Sequence, residues 1–190
     1  MKKLISIVIP CFNEGENIPE LYRRLLGVID ALDQYDFEIL FIDNSSRDNT
    51  VLELKKLASK DRRVKIIVNN RNFGIVRSPV WGLLQSSGDA SILICCDMQE
   101  PPEIIPELIV AWEEGWPVAL LVKRSSSIGS ISRSIKKIYY RVLQKISNID
   151  LLVDATGNGI FDKKVVQEIK SLEDPNPFFR GIVPELGYPV

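Results

Sequence analysis

The segment Ile92-Leu93-Ile94-Cys95-Cys96-Asp97-Met98-Gln99-Glu100-Pro101-Pro102-Glu103 runs from an apolar stretch straight into a cluster of oxygen-bearing side chains. A buried strand ending in carboxylates and an amide delivers hard ligands to a sheet edge, where a divalent cation and a diphosphate can be held together. A plainer reading is open too, in which Asp97 caps the next turn and Pro101-Pro102 opens a helix. Three more polar clusters follow apolar runs in the same manner: Asn13-Glu14, Asp43-Asn44-Ser45-Ser46 and Arg71-Asn72.

Composition narrows what those groups can do. The 190 residues include 0 histidines, which removes Ser-His-Asp and Cys-His catalysis and the usual imidazole zinc site. Carboxylates, cations and a metal remain. The formal net charge of -1 offers no global basic field, so nucleic acid is not expected as a partner and any anion site must be local. A hydrophobic fraction of 45% supports one globular domain with a full core. The cysteines, Cys11, Cys95 and Cys96, read as reduced cytoplasmic thiols, and Cys95 and Cys96 point to opposite faces if they share a strand. Met1-Lys2-Lys3 precedes an apolar run broken by Pro10, too short for a signal-peptide core or a membrane span, so the chain as given reads as soluble.

The elements that must position these clusters alternate along the chain. Leu4 to Ile9 reads as a strand, and Asn17 with Glu20 resembles a capping box opening a helix with Ile18, Leu21, Leu25, Val28, Ile29 and Leu32 on its apolar side. Phe37 to Ile42 is a second strand, after which Asp48 can cap a helix bearing Val51, Leu54 and Leu57. Val64 to Val68 and Ser91 to Cys96 are the next strands, with a short helix from Pro79 to Gln85 between them. A helix containing Ile104, Leu108 and Trp112 precedes a strand at Val118 to Val122. Such alternation, with strands nearly continuous in Ile, Val and Leu, predicts an α/β fold: a Rossmann-like, mostly parallel sheet with helices on both faces. Ligands of such sheets lie at the carboxyl ends of the strands, which gathers the four polar clusters on one edge. Beyond it, Ser125 to Ser134 reads as a mobile loop. A basic amphipathic helix then carries Ile135, Ile138, Tyr139, Val142, Leu143 and Ile146 against Lys136, Lys137, Arg141 and Lys145. Its apolar face can meet the core or an anionic membrane surface.

Taken together, Ile7 to Glu14, Ile42 to Thr50, Arg71-Asn72-Phe73-Gly74 and Asp97 to Glu103 resemble the GT-A glycosyltransferases of family two. The likeness is to the branch with dolichyl-phosphate mannose synthase and undecaprenyl-phosphate glucosyltransferases, and it continues into Thr156 to Lys163 and Phe178 to Gly181. The resemblance implies a nucleotide-diphospho-sugar donor, with a UDP-sugar favoured over a GDP-sugar. Pro10, Asn13 and Glu14 would hold base and ribose, Asp43 would accept a hydrogen bond from the base, and Arg71 would border the nucleotide. Asp97, as catalytic residue, would hold Mg²⁺ or Mn²⁺ with Gln99 against the diphosphate. The implied acceptor is a polyisoprenyl phosphate at the cytoplasmic face of a membrane, with Arg124, Arg133 and Arg180 as candidate phosphate holders and Ser125 to Ser134 as an acceptor lid. An inverting reaction follows, and a homo-oligomer is left open. Relatives in this branch often continue into transmembrane helices, so residues 1–190 are expected to be a catalytic domain cut from a longer membrane protein.

Three departures stand out. Cys95 occupies the first position of the usual Asp-x-Asp, Asn44 stands where a second aspartate is common, and no aspartate accompanies Gly157-Asn158. A thiol is a poor ligand for hard cations, which leaves a weaker metal site or one that recruits Glu100. Two rivals remain: a transferase to a soluble sugar or glycan hydroxyl, and a non-catalytic sugar-nucleotide binding module.

Overall fold

The computed structural model describes residues 1–122, 155–174 and 179–190. Six strands, β1 (Lys3–Cys11), β2 (Tyr35–Asp43), β3 (Val64–Val68), β4 (Ala90–Leu93), β5 (Val118–Val122) and β6 (Ala155–Asp162), form one sheet in the order β3-β2-β1-β4-β6-β5. β1 pairs in parallel with β2 and β4, and β2 with β3, while β6 runs antiparallel to both β4 and β5. The expected mostly parallel sheet is therefore present. The strand β6 is new: Ala155-Thr156-Gly157-Asn158-Gly159 lacks the β-branched and aromatic run that marks a strand. Gly159 explains how it fits, since a Cβ there would lie 2.1 Å from the carbonyl oxygen of Ala119 on β5.

Strand alternation sends the apolar residues to two cores. Ile5, Ile7, Ile9, Phe37, Ile39 and Phe41 face α1 (Ile18–Ile29), α2 (Thr50–Ala58) and α4 (Ile105–Glu113). Val8, Leu40 and Ile42 face α3 (Gly74–Leu84), α5 (Lys163–Ser171) and α6 (Phe179–Glu185). Helices on both faces leave the strand ends open to ligands.

Three local expectations change. The capping box at Asn17 does not form: Asn17 already has helical dihedrals, its Nδ2 donates to Glu14 Oε2 at 2.6 Å, and Glu20 pairs with Arg23 at 2.7 Å instead. The helix expected from Pro79 to Gln85 begins earlier, at Gly74, where the side-chain oxygen of Asn72 accepts from the Gly74 N–H at 2.7 Å, and Pro79 lies inside it. β4 ends at Leu93 rather than Cys96, so the cysteines lie just beyond the strand. Asp48 behaves as expected, accepting from the Thr50 N–H at 3.0 Å at the start of α2. The loop Ser125 to Ser134 and the basic amphipathic helix fall outside the described residues.

Candidate active site

The loops after β1 and β2 are clasped to each other. The Asn13 N–H donates to Ser46 Oγ at 2.9 Å, the Arg47 N–H to Asn13 Oδ1 at 2.8 Å, the Glu14 N–H to Thr50 Oγ1 at 2.8 Å and the Gly15 N–H to Asp48 Oδ2 at 3.1 Å. Glycine suits this approach at position 15, because a Cβ would sit 2.0 Å from Asn49 Oδ1, which would have to move, and 3.0 Å from the Thr50 backbone nitrogen. Pro10, opposite Ile42 in register, leads into the clasp from β1. Asp43, at the last position of β2, is fully buried. Its Oδ2 accepts from the Ser45 and Ser46 N–H groups, both at 3.1 Å, whereas Oδ1 is buried without a hydrogen-bond partner. A buried acceptor left unmatched by the protein costs stability unless a water or a ligand completes it.

Backbone strain marks the same edge. Asn13 (φ 56°), Ser45 (φ 66°) and Met98 (φ 56°) adopt the left-handed region, and they follow β1, β2 and β4. Non-glycine residues are uncommon there, and such strain gathers at ligand-binding loops.

The loop after β3 joins this assembly through Asn44, which is 5% exposed. Asn44 Oδ1 accepts from the Phe73 N–H at 2.8 Å and Asn69 Nδ2 at 3.3 Å, and its Nδ2 donates to Asn72 Oδ1 at 2.8 Å. Arg71 is exposed and lies over the Phe73 ring, its guanidinium carbon 4.8 Å from the centroid.

Asp97 and Gln99 sit on the loop beyond β4, both exposed, with Asp97 Oδ1 accepting from the Gln99 N–H at 3.1 Å. The turn-capping reading of Asp97 is therefore met, and its exposure leaves the other carboxylate oxygen open to solvent. The loop is braced from two sides. Arg24 on α1 pairs with Glu103 at 2.5 Å and reaches Met98 Sδ at 3.7 Å, while Asn158 on β6 donates from Nδ2 to Glu100 and, at 3.2 Å, to Cys95 Sγ. Glu100, the alternative metal ligand, thus has one carboxylate oxygen engaged by Asn158. Burial pushes the Cys95 thiol up, the Asn158 amide opposes this, and the Glu100 and Asp97 carboxylates raise it further. A protonated thiol is no ligand for Mg²⁺ or Mn²⁺. Among the described residues no three His, Cys, Asp or Glu side chains form a metal cage. Asp97 with Gln99 fits the other kind of site, in which one or two protein oxygens hold a hard cation and substrate phosphates supply the rest.

The two vicinal cysteines diverge although they lie beyond β4 and not on one strand: Cys96 is buried with Cys11, while Cys95 lies by Asn158. Cys11 is pushed well up by its hydrogen bond with Cys96, by burial and by the Asp43 and Glu14 carboxylates, which places the ends of β1, β2 and β4 in one electrostatic neighbourhood. Arg71 is set apart from Asp97. It lines a cavity of about 800 Å³ between α3 and α5, together with Phe73, Trp81 and Ile169, and neither Asp43 nor Asp97 borders that space. Arg124 and Arg133 lie outside the described residues, as does the side chain of Arg180. Sequence reasoning named Asn72 only as part of the Arg71-Asn72 cluster and missed Asn69 and Asn158 as site-building residues. Asn69 and Asn72 lie in the loop after β3, where Asn is indistinguishable from ordinary turn chemistry without the tertiary contacts, and Asn158 lies in β6, which itself went unread.

Residues 6–170 match the family Glycosyl transferase family 2. A prophage bactoprenol glucosyl transferase homolog of Escherichia coli K12 is 36% identical over 96% of this chain and 60% of its own length. The mannosyltransferase PcManGT of Pyrobaculum calidifontis, solved with GDP-Man and Mn²⁺, superposes with a TM-score of 0.63 at 13% identity, covering 89% of this chain and 47% of that one. S. aureus TarS 1-349 in complex with UDP gives a TM-score of 0.62 at 17% identity over 99% of this chain and 55% of that one. These structural neighbours are GT-A glycosyltransferases, so the fold is GT-A. The chain spans 57–60% of the length of curated relatives such as these. No described helix is long and apolar enough to cross a membrane.

Proposed function

This chain belongs to glycosyl transferase family 2 and is a glycosyltransferase, and from that premise we propose inverting transfer of a hexose from a nucleoside-diphosphate sugar, UDP favoured over GDP, to a polyisoprenyl phosphate at the cytoplasmic face of a membrane. The donor half rests on one observation, the unpartnered Oδ1 of fully buried Asp43. An imide N–H of a pyrimidine base is a donor of the right kind to complete it. The acceptor half is supported by 36% identity to the bactoprenol glucosyl transferase homolog.

In this reading the clasped loops at Asn13-Glu14 and Ser45-Ser46 form the seat for base and ribose. Asp97 and Gln99 would hold Mg²⁺ or Mn²⁺, which stabilises negative charge on a leaving diphosphate. An oxygen of the lipid phosphate forms the new bond to the anomeric carbon as the bond from that carbon to the nucleoside diphosphate breaks, its electron pair leaving on the diphosphate. The attacking phosphate is already ionised near neutral pH, so no residue has to remove a proton, in keeping with a chain of 0 histidines. Arg124, Arg133 and Arg180 are the proposed holders of the acceptor phosphate.

Calorimetric titration with UDP, UDP-glucose and GDP-mannose, with and without Mn²⁺, tests the donor half. Metal-dependent binding of the uridine nucleotides is expected, and no binding of any nucleotide would overturn it. Incubation with labelled UDP-glucose and undecaprenyl phosphate in detergent tests the acceptor half, with labelled lipid as the expected product. Transfer only to a soluble hydroxyl acceptor would overturn that half.

A further inference from the structure

Asn44 stands at the meeting point of three loops, and the orientations of the Asn44 and Asn72 amides are set by backbone donors. The Phe73 N–H points at Asn44 Oδ1 at 2.8 Å, so that atom must be the oxygen. The Gly74 N–H points at Asn72 Oδ1 at 2.7 Å, so that atom too must be an oxygen. Between these two acceptors lies the 2.8 Å contact from Asn44 to Asn72 Oδ1, which needs an N–H. Only the Asn44 amide can supply it. The same Nδ2 lies 3.4 Å from the Gly74 carbonyl oxygen, a second acceptor. An aspartate at this place would keep the bonds from Phe73 and Asn69 but would set its other oxygen against two acceptors. Turning the Asn72 amide over would relieve this only by giving up the bond that starts α3.

We propose that Asn44 is a positioning residue whose neutral amide locks the Asn69–Gly74 loop, which carries Arg71 and Phe73, to the end of β2, where the Asn69 N–H also donates to the Asp43 carbonyl at 2.9 Å. The inference rests on the donor reading above and assigns a purpose to one of this chain's departures: the amide is required here, and a second carboxylate would unseat the loop. Asn44 is 5% exposed and its own N–H donates to the Cys11 carbonyl at 2.8 Å, so the lock is tied to the end of β1 and cannot drift with the loop.

The test compares wild type, Asn44→Asp, Arg71→Ala and the double variant by calorimetric titration with UDP and Mn²⁺, and by limited trypsin digestion with mass mapping of cleavage after Arg71. Asn44→Asp is expected to weaken UDP binding about tenfold, equivalent to about 1.4 kcal/mol, and to speed cleavage after Arg71. Its effect on binding should largely vanish in the Arg71→Ala background, because both act through one loop. A loss of general stability alone would leave the two effects additive. Additive effects, or UDP binding and cleavage unchanged in Asn44→Asp, would overturn the proposal. Should wild type bind no UDP, the donor reading fails, while the rate of cleavage after Arg71 still decides whether the amide locks the loop.

Discussion

Replacing Asp43 with Asn separates binding from folding in a single atom. The Ser45 and Ser46 N–H groups both point at Oδ2 from 3.1 Å, so the oxygen of the new amide must take that place. Its NH₂ then falls where Oδ1 was, in a position buried without a partner. A donor N–H of the nucleotide would now meet another donor. A hydrogen bond to a charged group contributes about 1.5–3 kcal/mol, so UDP affinity should fall about 10- to 150-fold. Stability should move the other way. Asp43 is fully buried with half its carboxylate unmatched, and a neutral amide is easier to bury. A gain of up to about 1 kcal/mol corresponds to a rise in Tm of about 2–4 °C for a chain of this size. Titration calorimetry with UDP and Mn²⁺, paired with thermal unfolding of the unliganded protein, reads both. UDP affinity equal to wild type would refute the assignment of Oδ1 to the donor, and a Tm several degrees lower would refute the claim that this oxygen is held at a cost to the fold.

Asp97→Ala should remove the Mn²⁺ dependence of UDP binding and lower any transfer rate about 100-fold or more, by analogy with the loss of one transition-state contact. Glu103→Ala, which breaks the 2.5 Å pair with Arg24, should cost only a few-fold, so equal losses in hexose transfer would defeat the metal assignment. Glu38 tests the opposite half of the sheet: burial pushes its carboxyl up, but Lys65, Ser6 and Ser87 outweigh this and hold it at about 2, below the ordinary 4.5. A folded value below the unfolded one means this stability is complete above pH 4.5 and lost as pH falls toward about 2. The shift corresponds to roughly 3 kcal/mol. Other carboxylates held low, Asp61 among them, are lost alike in both proteins, so denaturant unfolding across that window should show the wild-type advantage over Glu38→Gln shrinking as pH falls; parallel curves would contradict it. Gly15→Ala should lower Tm by several degrees and weaken UDP binding, since its methyl meets Asn49 Oδ1 at 2.0 Å and the Thr50 nitrogen at 3.0 Å; an unchanged Tm would show that the clasp yields without cost.

Much of the scaffold was legible because burial on both faces of a parallel sheet demands long apolar strands, and Leu4 to Ile9, Phe37 to Ile42 and Val64 to Val68 meet that demand. β6 was hidden because its strand character comes from its neighbours: Gly159 is needed for close approach to Ala119, and such a residue lowers the strand signal it belongs to. The start of α3 was hidden for a related reason. Its initiating group, the Asn72 side chain, is itself oriented by Asn44, 28 residues away.

The sequence by itself determined the fold class, the gathering of polar clusters at the carboxyl ends of strands, and the exclusion of histidine chemistry, since these follow from residue type and periodicity alone. It also pointed to Asp43 and Asp97 through their resemblance to family motifs, while leaving open the turn-forming roles that both side chains also play. Only the tertiary structure decided how those clusters join. The hydrogen bonds from Asn13 to Ser46, from Asn44 to Asn72 and from Asn158 to Glu100 link residues 33, 28 and 58 positions apart, and their short polar side chains carry no periodic signal. Which amide donates, which oxygen is left without a partner and which carboxylate is already engaged depend on the directions of backbone N–H groups, and those directions exist only once the strands are paired.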